Sequence, residues 1–251
     1  MAAPVKDGAL LAAVGRWGAA LAFVVVAASA LLRLGTSLDA GGNAASTLAP
    51  ALESSARIVH RAAASAVGLL VIAALALALR QRPVPCRRRA ALAAIVVCTL
   101  GLAAIGRYTP GYRFAGVTVA NAVLGVALAC GFASLAVERQ TAIRPAYVIG
   151  ILAVLAQVGL GSAASAEAMH GRLAFEPLHV ALGPVVAAVV AWIAVRDRGW
   201  IAVLAVLQMA LGMALMVPGA ARGLPGEWLH AMLACALAVV LAVRVPVPSK
   251  V

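Results

Sequence analysis

Charged residues are scarce in this 251-residue sequence: Asp, Glu, Lys and Arg make up 11% of it, and only 8 positions are acidic. A soluble domain is about 25% charged and about 45–50% apolar, whereas 65% of this chain is hydrophobic. A single core in a chain of this length cannot bury so large an apolar fraction. The lack of charge therefore excludes a soluble globular protein and predicts an integral membrane protein.

Cysteine is also scarce, and its spacing excludes several classes of site. The four cysteines form no CxxC pair and no Cys/His spacing typical of zinc. The sequence has no Walker loop, no GxGxxG at the end of a strand and no HExxH. We expect Cys98, Cys130 and Cys235 to be small packing residues within membrane spans. Cys86 is expected in a cytoplasmic loop, and no disulfide is expected on the outer face.

Long apolar runs occupy most of the chain instead. A spanning helix needs about 20 apolar residues, and the runs that approach or exceed this length are separated by short polar segments. None of these segments is long enough for a second, soluble domain. The predicted spans are 12–33, 55–79, 90–106, 116–137, 145–164, 177–195, 200–217 and 227–244.

Basic residues are distributed asymmetrically between alternate loops, which predicts the orientation. If the N-terminus is inside, the inner segments hold most of the Lys and Arg, including the run at 87–89. We therefore predict that both termini are cytoplasmic, in a bacterial inner (plasma) membrane. The net charge of +12 indicates contact with anionic membrane lipid. No nucleic-acid partner is expected, because the arginine run lies in a ten-residue loop (80–89).

The N-terminal run has a second interpretation. Lys6, an apolar run and the small residues at 28–30 together resemble a cleaved signal peptide. The apolar run is longer than the apolar region of a signal peptide, so we favour a first membrane span.

Histidine is rare, but three of the four histidines occupy equivalent positions. His60, His179 and His230 each lie in the first turns of an even-numbered span that enters from the outer face. His170 lies in or beside the loop between spans five and six, and the sequence assigns it no role. Ionisable groups in a membrane are costly unless they are paired, solvated or bound. Three histidines at one depth therefore predict a ligand site, with incidental packing residues as the alternative.

An internal repeat relates the two halves of the chain. Overlaying spans one to four on spans five to eight pairs His60 with His179 and Asn121 with His230. The segments that match are LGTS (34–37) with LGSA (160–163), and TPG (109–111) with VPG (217–219). The predicted fold is an all-α integral membrane protein, with eight transmembrane helices in two tandem four-helix bundles. Their boundaries are 1–138 and 139–251.

The histidines favour haem over a bare metal ion. Two imidazoles that face each other in an apolar cleft suit iron, and the haem ring suits the apolar interior of a bundle. A bare zinc or copper ion would need further close ligands, and none is evident. The second bundle offers His179 and His230, whereas the first offers His60 opposite Asn121, which is a poor iron ligand.

Five segments carry a family resemblance in their order and spacing. They are ALLRLGTSLDAGG (30–42), IVHRAAASAVG (58–68), LAQVGLG (155–161), LQMALGMALMVPG (207–219) and WLHAMLA (228–234). With these segments, most of the chain resembles the heme A synthases, including their mitochondrial relatives. The resemblance implies a membrane oxidoreductase that oxidises a methyl group of heme O to the formyl group of heme A for cytochrome oxidase biogenesis.

The resemblance also implies a site. In that family each four-helix half holds a haem between histidines of its two even helices. Carried over, His179 and His230 would be the ligands of heme b, and His60 would be a catalytic ligand of the substrate, heme O. Heme O synthase and oxidase-assembly proteins would be the partners.

Two positions depart from the family pattern. Asn121 stands where the family has a fourth histidine, and Arg57 stands where it commonly has a glutamate, three residues before His60. Glu53 lies two turns before His60 and could act as the catalytic carboxylate instead, or it could simply pair with Arg57. Arg57 and Arg61 are candidates to contact haem propionates or lipid phosphates.

Three functions therefore remain open from the sequence. The first is a heme A synthase-type oxidoreductase. The second is a non-catalytic haem b-binding membrane cytochrome or oxidase-assembly factor, which the departures at Arg57 and Asn121 favour. The third is a haem-free transporter or structural membrane protein, which requires the three histidines to be incidental.

Overall fold

A computed structural model of the chain describes residues 4–40, 50–81, 84–108, 115–137, 144–168, 174–195, 199–216 and 224–244. All regular structure within these ranges is α-helical, and each helix overlaps one predicted span. The helices are α1 (Pro4–Ala40), α2 (Pro50–Arg80), α3 (Cys86–Gly106), α4 (Ala115–Leu135), α5 (Pro145–Ala168), α6 (Glu176–Val195), α7 (Gly199–Ala214) and α8 (Leu224–Arg244). His170 and the TPG and VPG segments lie outside the described residues.

Seven of the described helices are long and apolar enough to cross a membrane, and α7 is a shorter apolar helix. Large apolar side chains remain exposed along their outer faces, among them Leu69, Ile72, Val97 and Leu152. Such a surface would drive association in water, whereas lipid chains are as apolar as these side chains. The helices are therefore compatible with an integral membrane protein.

The N-terminus of α3 differs from the sequence-based prediction. Cys86 was expected in a loop, but it is the first residue of α3. Pro85 precedes it in an extended conformation, and its carbonyl accepts a hydrogen bond from the backbone N–H of Arg89 at 3.0 Å. Proline fixes φ and is suited to a helix start, so the arginine run forms the first turn of the helix. Arg88 is buried there and donates to the Gln81 side-chain oxygen at 3.0 Å.

The helices share two clusters of buried apolar side chains. Helices α1 to α4 form one cluster, which includes Cys98. Helices α4 to α8 form the other, which includes Cys130 and Cys235. These three cysteines are packing residues, as predicted, and Cys86 is exposed. Helix α4 takes part in both clusters.

Helices α1 and α4 contact α5 and α8, and these contacts join the N-terminal half of the chain to the C-terminal half. The indole Nε1–H of Trp228 on α8 donates to the backbone carbonyl of Ala27 on α1 at 2.9 Å. Gly125 of α4 leaves room for Val26 of α1, whose Cγ2 would lie 3.1 Å from a Cβ at that position. Small residues of this kind allow membrane helices to approach closely.

Candidate functional site

A cavity of about 490 Å³ lies among the helices, and its wall is mostly apolar. Its volume falls in the range of about 300–1,000 Å³ that is typical of small-molecule sites. His60, Asn121, His179 and His230 all line this cavity. The structure therefore brings together the three histidines that were predicted to bind iron and Asn121, which was predicted to lie opposite His60.

The imidazoles of His179 and His230 are neighbours within the cavity, in an edge-type arrangement. Their ring centroids are 6.3 Å apart and their planes meet at 90°. His179 is in the first turn of α6 and His230 in the second turn of α8. Both rings thus project from the N-terminal ends of their helices into one space.

Each of these rings lies against a glycine on the preceding helix. A Cβ built on Gly161 of α5 would lie 2.9 Å from Cε1 of His179. A Cβ built on Gly212 of α7 would lie 2.9 Å from Cε1 of His230. Real Cβ atoms are essentially never so close to another atom, so any side chain at either glycine would require the facing ring to move.

Two glutamines lie beside the same histidines. The Nε2–H of Gln157 on α5 donates to the backbone carbonyl of His179 at 2.7 Å. The amide nitrogen of Gln208 on α7 is 3.3 Å from Nε2 of His230, and the tautomer of the ring decides which atom donates. Both glutamines line the cavity.

Several polar atoms at this end of the cavity are buried without a hydrogen-bond partner in the described part of the chain. They are Nδ1 of His179, Nδ1 of His230, and the side-chain oxygens of Gln157 and Gln208. A buried polar atom without a partner costs about 1–3 kcal/mol. Unpartnered polar atoms around two neighbouring imidazoles are typical of a site built for a ligand rather than for packing.

The N-terminal side of the cavity offers one imidazole. His60 of α2 lines it, half-buried, and Asn121 of α4 lies in the wall. The Nδ2–H of Asn121 donates to Oγ of Ser29 on α1 at 3.3 Å. Asn121 therefore contributes a polar group that is already engaged with a neighbouring helix.

Glu53, Arg57 and Arg61 are not among the described residues that line the cavity. Arg57 and Arg61 are exposed. The Nε–H of Arg57 donates to Oε1 of Glu53 at 3.0 Å, one turn away on α2. The interpretation of Glu53 as the ion-pair partner of Arg57 is confirmed, and this carboxylate has no contact with the cavity in the structure.

Arg33, the last residue of the first predicted span, lines the cavity. It remains within α1, because this helix continues to Ala40, beyond the predicted end at residue 33. Its guanidinium donates from Nη1 to Oγ of Ser162 on α5 at 2.7 Å, and Ser162 is buried. A charged residue inside the apolar segment ALLRLGTS was the signal that could have identified it.

Glu176 and Glu227 also line the cavity. Each precedes a cavity histidine by three residues, a spacing that places the two side chains on one helix face. The cavity wall, which is mostly apolar, therefore includes acidic groups from Glu176 and Glu227 and a basic group from Arg33.

No known protein-family model matches the chain, and no curated protein matches its sequence.

Proposed function

We propose that this chain is an integral membrane haem protein that holds heme b between His179 and His230, and that it acts as a heme A synthase-type oxidoreductase. The observation that carries the proposal is the pair of neighbouring imidazoles in an apolar cavity, with ring centroids 6.3 Å apart. A metal–imidazole bond is about 2 Å long, so His179 and His230 are close enough that both could hold one iron atom between them.

The number of available ligands favours haem over a bare ion. Among the described residues, no group of three or more His, Cys, Asp or Glu side chains could hold a metal ion. A porphyrin supplies four ligands itself, so two histidines complete the coordination of its iron. The apolar wall suits the ring, and the Arg33 guanidinium is the cavity group suited to a propionate carboxylate.

When bound, the haem would supply one-electron redox chemistry. The chain itself would orient the group through His179 and His230, neutralise its carboxylates through Arg33, and exclude water with the apolar side chains of the wall.

The substrate in this proposal is heme O, held from one side by His60. Oxidation of one methyl to one formyl group removes four electrons, and with dioxygen as the oxidant one methyl and one O₂ give one formyl and one water. His60 supports this assignment because it lines the same cavity as His179 and His230. Heme O synthase and oxidase-assembly proteins would be the partners.

The proposal includes eight spans in two four-helix bundles, with both termini on the cytoplasmic side of a bacterial inner membrane. The two buried clusters, one formed by α1 to α4 and the other by α4 to α8, support this division, with α4 shared between them. The short apolar helix α7 would be the eighth span.

A second candidate is a haem b-binding membrane cytochrome or oxidase-assembly factor without catalysis. The specific observation in its favour is Asn121, whose amide is bound to Ser29 opposite His60. In this case only the His179–His230 pair would hold haem.

Haem extraction and mass analysis after co-expression with a heme O synthase distinguishes the two candidates. The proposal predicts heme A, or hydroxylated heme O, in wild type and its loss in His60→Ala. Leu178→Ala is the matched control, because Leu178 is exposed and adjacent to His179. Heme B alone, unchanged in His60→Ala and lost in His179→Ala, would refute the synthase and support the cytochrome. No haem of any kind in wild type would refute both.

A further inference from the structure

The two cavity histidines belong to segments with the same internal spacing. Each is preceded by a glutamine 22 residues earlier, by a glycine four residues after that glutamine, and by a glutamate three residues before the histidine. The first segment has Gln157, Gly161, Glu176 and His179, and the second has Gln208, Gly212, Glu227 and His230. Every residue of the second set follows its counterpart by 51 positions.

The two segments are also equivalent in structure. In the first, α5 carries the glutamine and glycine and α6 carries the histidine; in the second, α7 and α8 do the same. Both glycines make the same contact, since a Cβ on either would lie 2.9 Å from Cε1 of the facing histidine. Four matched positions and one matched contact define a repeated helix hairpin.

The glutamine contacts differ between the copies. Gln157 binds the backbone carbonyl of His179, in the turn before Pro184. Proline within a helix removes the donor to the carbonyl four residues earlier, which here is that of Val180 and not that of His179. The second copy has Cys235 at the position that corresponds to Pro184, and Gln208 contacts the histidine ring itself. The glycine contact is therefore the feature that both copies share.

We propose that α5–α6 and α7–α8 are two copies of one helix hairpin, in which Gly161 and Gly212 act as positioning residues that hold the imidazole planes of His179 and His230 at right angles. This inference rests on the proposed haem ligation by these two histidines. The two observations behind it are the 90° angle between the rings and the close approach of each ring to its glycine.

The angle between two axial imidazoles has a spectroscopic consequence. Perpendicular planes leave two of the iron d orbitals close in energy, and low-spin ferric haem then gives a highly anisotropic electron paramagnetic resonance signal. Parallel planes separate these orbitals and give a rhombic signal. The signal therefore reports ring orientation, which a purely structural role for the glycines would not change.

The test is the low-temperature resonance spectrum of the full-length protein loaded with ferric heme B. The variants are Gly161→Ala and Gly212→Ala, in which the new Cβ forces the facing ring to turn. Gly159→Ala is the matched control on α5, because its Cβ would meet Val123 Cγ2 at 3.4 Å, an ordinary contact. The optical spectrum is recorded on each sample to verify that both imidazoles still bind.

We expect a highly anisotropic signal in wild type and in Gly159→Ala, and a shift toward a rhombic signal in Gly161→Ala and Gly212→Ala. Loss of haem from these two variants alone, with unchanged thermal unfolding, would also support the inference. An anisotropic signal that is unchanged in both variants would overturn it, as would a rhombic signal in wild type. Wild-type protein that binds no haem would instead overturn the proposed function, and this inference with it.

Discussion

Two half-buried imidazoles, each with a buried Nδ1 atom, are a costly feature in a chain that consists mainly of apolar helices. Nδ1 of His179 and Nδ1 of His230 have no hydrogen-bond partner within the described residues, and desolvation of an unpartnered polar group costs free energy. Packing alone could be achieved with leucine at either position and would not need the glycines that face the rings. At the scale of single residues, these unpartnered atoms support the proposal that the site binds a ligand.

Arg33 provides a prediction at this scale. If its guanidinium binds a haem carboxylate, Arg33→Gln removes a charge-assisted hydrogen bond of about 1.5–3 kcal/mol and should weaken haem binding by roughly 10- to 100-fold. Titration of the purified protein with heme B measures the effect. The variant also loses the contact with Ser162, so the titration is repeated with the dimethyl ester of heme B. The ester has no free carboxylate, and wild type and variant should bind it with equal affinity.

Arg57→Gln is the matched control for this experiment. Arg57 is exposed, lies outside the cavity wall, and is paired with Glu53, so its loss removes an exposed ion pair worth about 0.3–0.5 kcal/mol. We expect unchanged haem affinity. Equal losses in Arg33→Gln and Arg57→Gln, or equal losses with heme B and its ester, would show that Arg33 does not bind the carboxylates.

At the scale of helices, the apolar runs were sufficient to predict eight elements but not their ends. Helix α1 continues to Ala40 and α3 starts at Cys86, because polar residues such as Arg33 and Arg88 are held by side chains on other segments. A single sequence does not show such contacts. The glycine positions that let the rings approach α5 and α7 were likewise recognisable only after the helices had been brought together.

Packing between α1 and α4 provides a prediction at this scale. A Cβ on Gly15 of α1 would overlap the backbone of Leu135 and Ala136, which follow one another at the end of α4. Gly15→Ala must push the helices apart, and overpacking of this kind costs about 1–3 kcal/mol. Thermal unfolding in detergent should show a lower midpoint than in wild type.

Gly116→Ala is the control for this substitution, because a Cβ at that position would have no atom within 4 Å. Alanine is also the better helix former by about 1 kcal/mol, so Gly116→Ala should leave the midpoint unchanged or raise it slightly. A midpoint for Gly15→Ala at or above that of wild type would contradict the packing of α1 on α4.

At the scale of the whole molecule, candidate site residues from both halves of the chain line one cavity. His60, His179 and His230 were predicted to lie at one depth in the membrane, and all three line the same cavity. The sequence could not predict that α1 and α4 pack on α5 and α8 around this cavity, because such contacts depend on side chains far apart in the chain. Arg57 and Arg61 were candidates to contact haem because they are close to His60 in the sequence. In the structure Arg33 lines the cavity wall instead.

The central claim is that His179 and His230 are the two axial ligands of one haem, and the optical spectrum of purified protein loaded with heme B tests it most directly. We predict the sharp reduced bands of bis-imidazole low-spin haem in wild type, and loss of this low-spin spectrum in both His179→Ala and His230→Ala, with His60→Ala retaining it. A wild-type spectrum without low-spin haem, or one that survives either of the first two substitutions, would contradict the claim.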